Sequence, residues 1–249
     1  MGVVQILLVV APVFATNCCV VVAGPTGRDA DCVVVDAGAG TAPEVERLVA
    51  ERRLTPRAVL ATHGHADHTW DAAALCARYG VPLRLHAADA YRLADPFGTL
   101  GLDDGRRDGG DPGVSGALAQ ALAATGRRAD DYRAPEVVEP FGDGDGVAPD
   151  DERELVAGTV RLRALHAPGH TEGSTLLVAD DVVLAGDVLF AGGVGRTDLP
   201  GGDAGTMART LRDVVGSLDP ALGVVPGHGP TTTVGRELAS NPSLRPYLR

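Results

Sequence analysis

His63, His65, Asp67 and His68 fall within Thr62-His63-Gly64-His65-Ala66-Asp67-His68, so six residues carry three imidazoles and one carboxylate. Imidazole nitrogen and carboxylate oxygen are ligand atoms that suit zinc or iron. The run follows an apolar stretch. In an extended segment alternate side chains share a face, which groups His63, His65 and Asp67, with His68 at the next turn. The chain has seven histidines. Three of them in this one run are too dense for a polar loop with chance histidines.

Three more candidates lie downstream. His170 stands in His166-Ala167-Pro168-Gly169-His170-Thr171, Asp187 in Leu184-Ala185-Gly186-Asp187-Val188, and His228 in Pro226-Gly227-His228-Gly229-Pro230. Each follows an apolar, β-rich run and sits in a turn containing glycine. Side chains at strand ends in such turns project into a common cleft.

Taken in order, His63, His65, Asp67, His68, His170, Asp187 and His228 resemble the metallo-β-lactamase superfamily, over nearly the whole chain. Seven ligands are too many for one tetrahedral zinc and suit two metals sharing a carboxylate. The resemblance implies that His63, His65 and His170 hold one divalent ion and that Asp67, His68 and His228 hold a second. Asp187 bridges them. Zinc is the expected metal, with iron and manganese as alternatives. Asp67 and Asp187 are the expected catalytic carboxylates, beside a water or hydroxide acidified by the two cations. His86 and His166 fit no ligand slot, so an orienting or strand-end role is expected. Asp36 is expected as a buried turn carboxylate. Gly64, Gly169 and Gly227 are expected to permit tight backbone near the metals.

The branch matters, because this fold hosts many functions. Class B lactamases of the best-known type have Arg where His68 stands and Cys where Asp187 stands. Asp187 is instead similar to the glyoxalase II group. Val194-Gly195-Arg196-Thr197-Asp198-Leu199-Pro200-Gly201-Gly202-Asp203 resembles the short bacterial glyoxalase II-like hydrolases, as does Pro226–Pro230. The resemblance implies hydrolysis of a small acyl thioester, with Arg196 as a substrate contact or a structural ion pair. Iron-dependent persulfide dioxygenases share the ligand pattern and are the alternative. They commonly have an aromatic where Leu199 stands and Asp-Tyr where Gly229-Pro230 stands. Lactone or other ester hydrolysis, and non-catalytic use of the fold, are remoter readings. The helical extension that carries glutathione contacts in glyoxalase II has no counterpart in Gly229–Arg249. Arg92, Arg106, Arg107, Arg127, Arg128 and Arg133 are therefore expected as possible anion contacts.

Composition sets the outer bounds. The formal charge of −11 argues against a nucleic-acid substrate, which needs a basic stripe. All 22 basic residues are Arg. Cys18, Cys19, Cys32 and Cys76 form no CxxC pair, and reduced thiols in a cytoplasmic protein are expected. Val3 to Ala15 is apolar but has no basic residue before it, which favours a buried hairpin over a signal peptide. No membrane association is expected.

The elements must bring these side chains together. Strand patterns cover Val3–Val10, Cys18–Val22, Cys32–Val35, Ala58–Ala61 and Leu83–His86. Helical spacing covers Pro43–Arg52, with Thr41 as N-cap, and Asp67 to Tyr79. A second series runs through Thr159–Leu165, Ser174–Val178, Val182–Ala185 and Leu222–Val225, with a helix at Asp203–Leu218. Two βα halves, each giving ligands from strand ends, imply an α/β fold: a four-layer αββα sandwich of two mixed sheets with outer helices. Residues 1–249 are expected as one domain with an insertion at about 94–150 that covers the cleft. Within it, Gly101–Gly116 is expected as a loop, Ala117–Ala124 as a short helix and Gly142–Gly146 as a turn.

Overall fold

A computed structural model describes residues 4–100, 120–142 and 152–248. The first sheet holds β1 (Val4–Val10), β2 (Asn17–Ala23), β3 (Asp31–Val35), β4 (Thr55–Leu60) and β5 (Leu83–Arg84), in that spatial order. The second is built from β6 (Glu152–Ala157), β7 (Val160–His166), β8 (Thr175–Ala179) and β9 (Val182–Gly186). A separate hairpin, β10 (Leu189–Phe190) with β11 (Gly193–Val194), follows before β12 (Gly223–Pro226) and β13 (Thr232–Thr233) complete the second sheet. Its order is β13-β12-β9-β8-β7-β6. Both sheets are mixed: β3, β4 and β5 run parallel, as do β9 and β12.

The inner strands β2, β3, β8 and β9 are almost wholly apolar because both of their faces are covered, whereas the edge strand β6 is exposed along most of its length. Alternation divides them cleanly. Cys19, Val21, Val33, Val35 and Leu60 of the first sheet meet Leu162, Ala164, Leu177, Ala179 and Leu184 of the second. Their neighbours Cys18, Val20, Val22, Cys32 and Val34 face outward onto Val45, Val49, Leu75 and Cys76. Those residues belong to α1 (Ala42–Arg52) and α3 (Ala72–Tyr79), which lies after the short α2 (Ala66–Thr69). On the far side, Leu176, Val178 and Val183 pack on Met207, Leu211, Val214, Val215 and Val234. Those come from α4 (Ala204–Arg209), its helical continuation, and α5 (Val234–Ser240). The layers are therefore helix, sheet, sheet, helix. Each fully buried Val or Leu contributes about 1.5–3 kcal/mol of transfer free energy. All four cysteines are free and buried in this scaffold.

Two helices differ from the periodicity reading. The Asp67 to Tyr79 helix is split into α2 and α3 at Trp70-Asp71. The Asp71 carboxylate turns to accept from the Gly40 and Ala42 backbone N–H groups at 2.9 and 2.8 Å. It thereby satisfies the start of α1. Thr41 occupies the N-cap position of α1, but its hydroxyl donates to the Gly38 carbonyl and caps nothing. The helix expected at Asp203–Leu218 is helical but changes pitch. After α4 it widens to a π turn over Thr210–Val214, where the Thr210 hydroxyl donates to the Pro168 carbonyl at 2.6 Å, and it tightens again at Val215–Ser217.

Part of the insertion is described. Residues 120–124 are helical, and Trp70, Phe97 and Tyr132 form an edge-on aromatic cluster near buried Leu100 and Leu122. Leu83 bridges to Val138 and His86 to Phe141, so this stretch extends the edge of the first sheet. The Gly101–Gly116 loop, most of the Gly142–Gly146 turn, Arg106 and Arg107 lie outside the described residues. No helix among the described residues is long and apolar enough to cross a membrane.

Candidate metal centre

The chain leaves the ends of β4, β7, β9 and β12 toward the cleft. β4 leads through Thr62, whose carbonyl accepts from Thr175 N of the opposite sheet at 2.9 Å, into His63-Gly64-His65. β7 leads to His170, β9 to Asp187, and β12 to His228. The Gly227 N–H donates to the Gly186 carbonyl at 2.7 Å, which locks the last two turns together. A Cβ on Gly227 would lie 2.1 Å from an Asp187 carboxylate oxygen, so glycine is required there. The extended geometry expected through Asp67 stops at His65. Asp67 and His68 stand in the first turn of α2, which sends them to a different group from His63 and His65.

All seven side chains meet. In one group, His65 Nδ1 is 3.0 Å from both His63 Nε2 and His170 Nε2. In the other, His228 Nε2 is 3.2 Å from His68 Nε2 and 3.2 Å from an Asp67 carboxylate oxygen. Asp187 sits between them. Its Oδ2 is 3.6 Å from His170 Nε2 and 3.6 Å from His228 Nε2, and its Oδ1 is 3.5 Å from His68 Nε2.

Four of the other ring nitrogens have a polar partner behind them, whereas His65 Nε2 is buried without a hydrogen-bond partner. His170 Nδ1 donates to the Arg196 carbonyl at 2.9 Å, and His228 Nδ1 donates to the Phe14 carbonyl at 2.9 Å. His68 Nδ1 lies 3.1 Å from the Asp36 carboxylate. His63 Nδ1 lies 3.2 Å from the Thr62 hydroxyl, which donates to the same carboxylate at 2.8 Å. Asp36 also accepts from Thr62 N at 2.8 Å, as a buried turn carboxylate at positive φ. Such partners orient the imidazoles and, in a neutral ring, leave the inward nitrogen as a lone pair.

The convergence has a physical consequence. Ring nitrogens face one another at 3.0–3.2 Å and carboxylate oxygens at 3.2–3.7 Å. The Asp187 Oδ1 atom is buried without a hydrogen-bond donor. Burial, followed by the neighbouring imidazoles, drives His63 well below its ordinary pKa, and burial pushes His65 down to about 3. Both rings are neutral and free to act as ligands. Burial would lower His68 as well, but Asp36, Asp67 and Asp187 around it outweigh burial and raise it well above its usual value. Burial would raise Asp67, yet His68 and His228 hold it low. These groups demand positive charge at their centre. A tetrahedral zinc with bonds of about 2.0–2.1 Å spaces its nitrogens about 3.3 Å apart, close to the observed separations. The His/Asp cluster fits divalent metal ions.

The cleft above the cluster has a volume of about 320 Å³ and is lined by Phe14, His65, Asp67, Leu100, His170, Asp187, Arg196, Leu199 and His228. Among the described residues, Phe14, Leu100 and Leu199 give the cluster's open side apolar walls and Arg196 places a cation there. The family model described as the metallo-beta-lactamase superfamily matches residues 11–228. The chain belongs to that superfamily. An uncharacterized protein of Mycobacterium tuberculosis is 36% identical over 247 residues, covering 96% of this chain and 97% of the relative. A hydroxyacylglutathione hydrolase of Haemophilus influenzae is 29% identical over 221 residues, covering 86% and 87%. Among solved structures, the B3 metallo-beta-lactamase BLEG-1 superposes with a TM-score of 0.69 at 26% identity, covering 96% of this chain and 98% of that one. The protein TTHA1623, in a di-iron-bound form, gives 0.68 at 28% identity, covering 95% and 98%.

Around this metallo-beta-lactamase centre several sequence expectations change. Arg92 is not available to a substrate anion. It is wholly buried, with its guanidinium on Asp89, Glu172 and the Thr99 and Pro200 carbonyls. Arg127, Arg128 and Arg133 are absent from the cleft lining too, and Arg133 lines a separate groove beside α3. Arg196 does line the cleft and also makes a bidentate pair with Asp198 at 2.7 Å. His86 and His166 stay outside the cluster and stack on each other, centroids 3.9 Å apart and planes 9° from parallel. Phe14 and Asp89 were invisible to sequence reasoning. Phe14 acts through its backbone carbonyl, which leaves no residue-type signal. Asp89 resembles any acidic residue on a short helix until its burial is known.

Proposed function

We propose that the protein is a two-metal hydrolase of small acyl thioesters, of glyoxalase II type. The observation that carries this is the placement of Asp187, one carboxylate within 3.6 Å of ligand nitrogens from both groups. His63, His65 and His170 would hold one ion, Asp67, His68 and His228 the other, and Asp187 would belong to both. Zinc is the metal we assign, because nitrogen-rich sites with two carboxylates suit it. Bound divalent ions supply acidified water and a Lewis acid for the acyl carbonyl.

The chain's own residues do the rest. Phe14, Leu100 and Leu199 form apolar walls that strip water from the bound acyl group. Arg196 faces the same space and orients a carboxylate carried by the thiol or acyl part. Asp67 and Asp187 stay ionised, since neighbouring imidazoles hold both below the usual carboxylate range against the push of burial. They hold the centre's geometry and balance its charge. A departing thiolate needs little protonation, so the lack of a further acid among the described lining residues is compatible with thioester cleavage. The hydroxyacylglutathione hydrolase relative supports the same substrate class.

A second reading is an iron-dependent persulfide dioxygenase. The likeness to a protein solved in a di-iron form favours it, because such a fold accepts iron. The two readings part on oxygen. We expect metal-loaded protein to cleave S-lactoylglutathione at the same rate with and without oxygen, and to leave a chromogenic cephalosporin largely intact. Oxygen consumption with a persulfide, together with inertness toward thioesters, would establish the second reading.

A further inference from the structure

Asp89 has zero exposure and lies in none of the ligand groups. Its carboxylate accepts four hydrogen bonds. Oδ2 takes Gly64 N at 2.7 Å and the Thr171 hydroxyl at 2.7 Å. Oδ1 takes Gly173 N at 2.8 Å and Arg92 Nε at 3.1 Å. Four donors fill the capacity of one carboxylate. Gly64 is the residue between His63 and His65. Thr171 follows His170 directly, and Gly173 is two further on. One carboxylate therefore pins the loop from the first sheet and the loop from the second that together supply the three-histidine group.

The packing around these loops agrees. A Cβ on Gly64 would lie 2.8 Å from the Asp89 carbonyl oxygen, and one on Gly173 would lie 2.6 Å from the Asp89 carboxyl carbon. Both glycines let their loops close onto this side chain. Arg92 supplies the counter-charge and extends the tie to the Pro200 carbonyl, at the end of the segment that carries Arg196. The second group is held differently, by Asp36 behind His68 and by Phe14 behind His228.

We propose that Asp89 is a positioning residue that sets the spacing of His63, His65 and His170, and so tunes metal affinity at that group alone. The proposal rests on the two-metal reading above. Asp89→Asn keeps the shape, but its amide NH2 must oppose at least one N–H or O–H now donating to it. The loops are then free to separate, and the nitrogens that stand 3.0 Å apart lose their common focus.

The test is a zinc titration of the metal-stripped full chain, followed by imidazole 15N NMR, so that the two histidine sets are read separately. Wild-type protein should show both sets responding; if neither responds, the metal reading fails and this proposal with it. In folded Asp89→Asn, we expect affinity at His63, His65 and His170 to fall about 10–100-fold. The response of His68 and His228 should be unchanged. Equal losses at both sets would mark Asp89 as a general stability residue and overturn the proposal, as would no loss at either. If Asp89→Asn does not fold, Thr171→Val decides. It removes one of the four bonds and should weaken the three-histidine set about 3–10-fold. An unchanged titration of that variant would overturn the proposal.

Discussion

Replacing Asp36 by Asn should cripple metal binding at the Asp67–His68–His228 group without touching a ligand. Asp36 accepts from Thr62 N and from the Thr62 hydroxyl, and it pairs with His68 Nδ1 at 3.1 Å. The substituted amide can keep the first bond through its carbonyl. Its NH2 then faces the His68 Nδ1–H, two donors opposed. The ring can relieve this only by moving its proton to Nε2, the atom that faces Asp67, Asp187 and His228 at 3.7, 3.5 and 3.2 Å. The group then loses a ligand lone pair. A hydrogen bond to a charged group contributes about 1.5–3 kcal/mol. Directed to holding the competent tautomer, that corresponds to about 10–150-fold in affinity. The assay is zinc binding to stripped protein by calorimetry, with circular dichroism to show that the fold is kept. Two ions bound with wild-type affinities in a folded Asp36→Asn variant would refute the argument that Asp36 sets the ring's tautomer.

Three further outcomes are expected. Asp187→Ala removes a carboxylate common to both groups, so bound zinc should fall to about one ion or fewer per chain, and turnover by more than about 100-fold; full occupancy by elemental analysis with normal turnover would contradict the shared assignment. His166→Ala should keep both ions, because His166 Nε2 donates to the Glu172 carbonyl at 2.7 Å and its ring stacks on His86 away from the cluster; complete loss of one ion in a folded variant would mean a misplaced ligand. Arg196→Ala should raise KM for an anionic thioester about 3–10-fold with little change in Tm, since its pair with Asp198 is exposed and screened by solvent. Asp198→Ala should leave KM equal or lower, and a matching rise in both variants would show that the pair matters only as structure.

The chemistry of this protein is local in its sequence and global in its assembly. His63, His65, Asp67 and His68 can be singled out because metal ligands are rare residue types, and their clustering needs no structure to be noticed. The inner strands were equally legible, since a sheet covered on both faces demands unbroken apolar runs such as Cys18–Val22, and the four-layer architecture follows from their order, whereas the exposed edge strand β6 and the two-residue strands β10, β11 and β13 carry no such run. Tertiary packing decided what local pattern could not encode. Periodicity merged α2 and α3 because the break at Asp71 serves backbone groups of Gly40 and Ala42, about 30 residues away in the chain. Arg92 was expected as a possible anion contact because nothing near it announces Glu172, which is 80 residues distant. Residue identity names possible ligand atoms. Which nitrogen faces inward, and whether two loops meet closely enough to share a cation, depends on carbonyls and carboxylates brought from other strands. Those contacts exist only once both sheets have closed around one core.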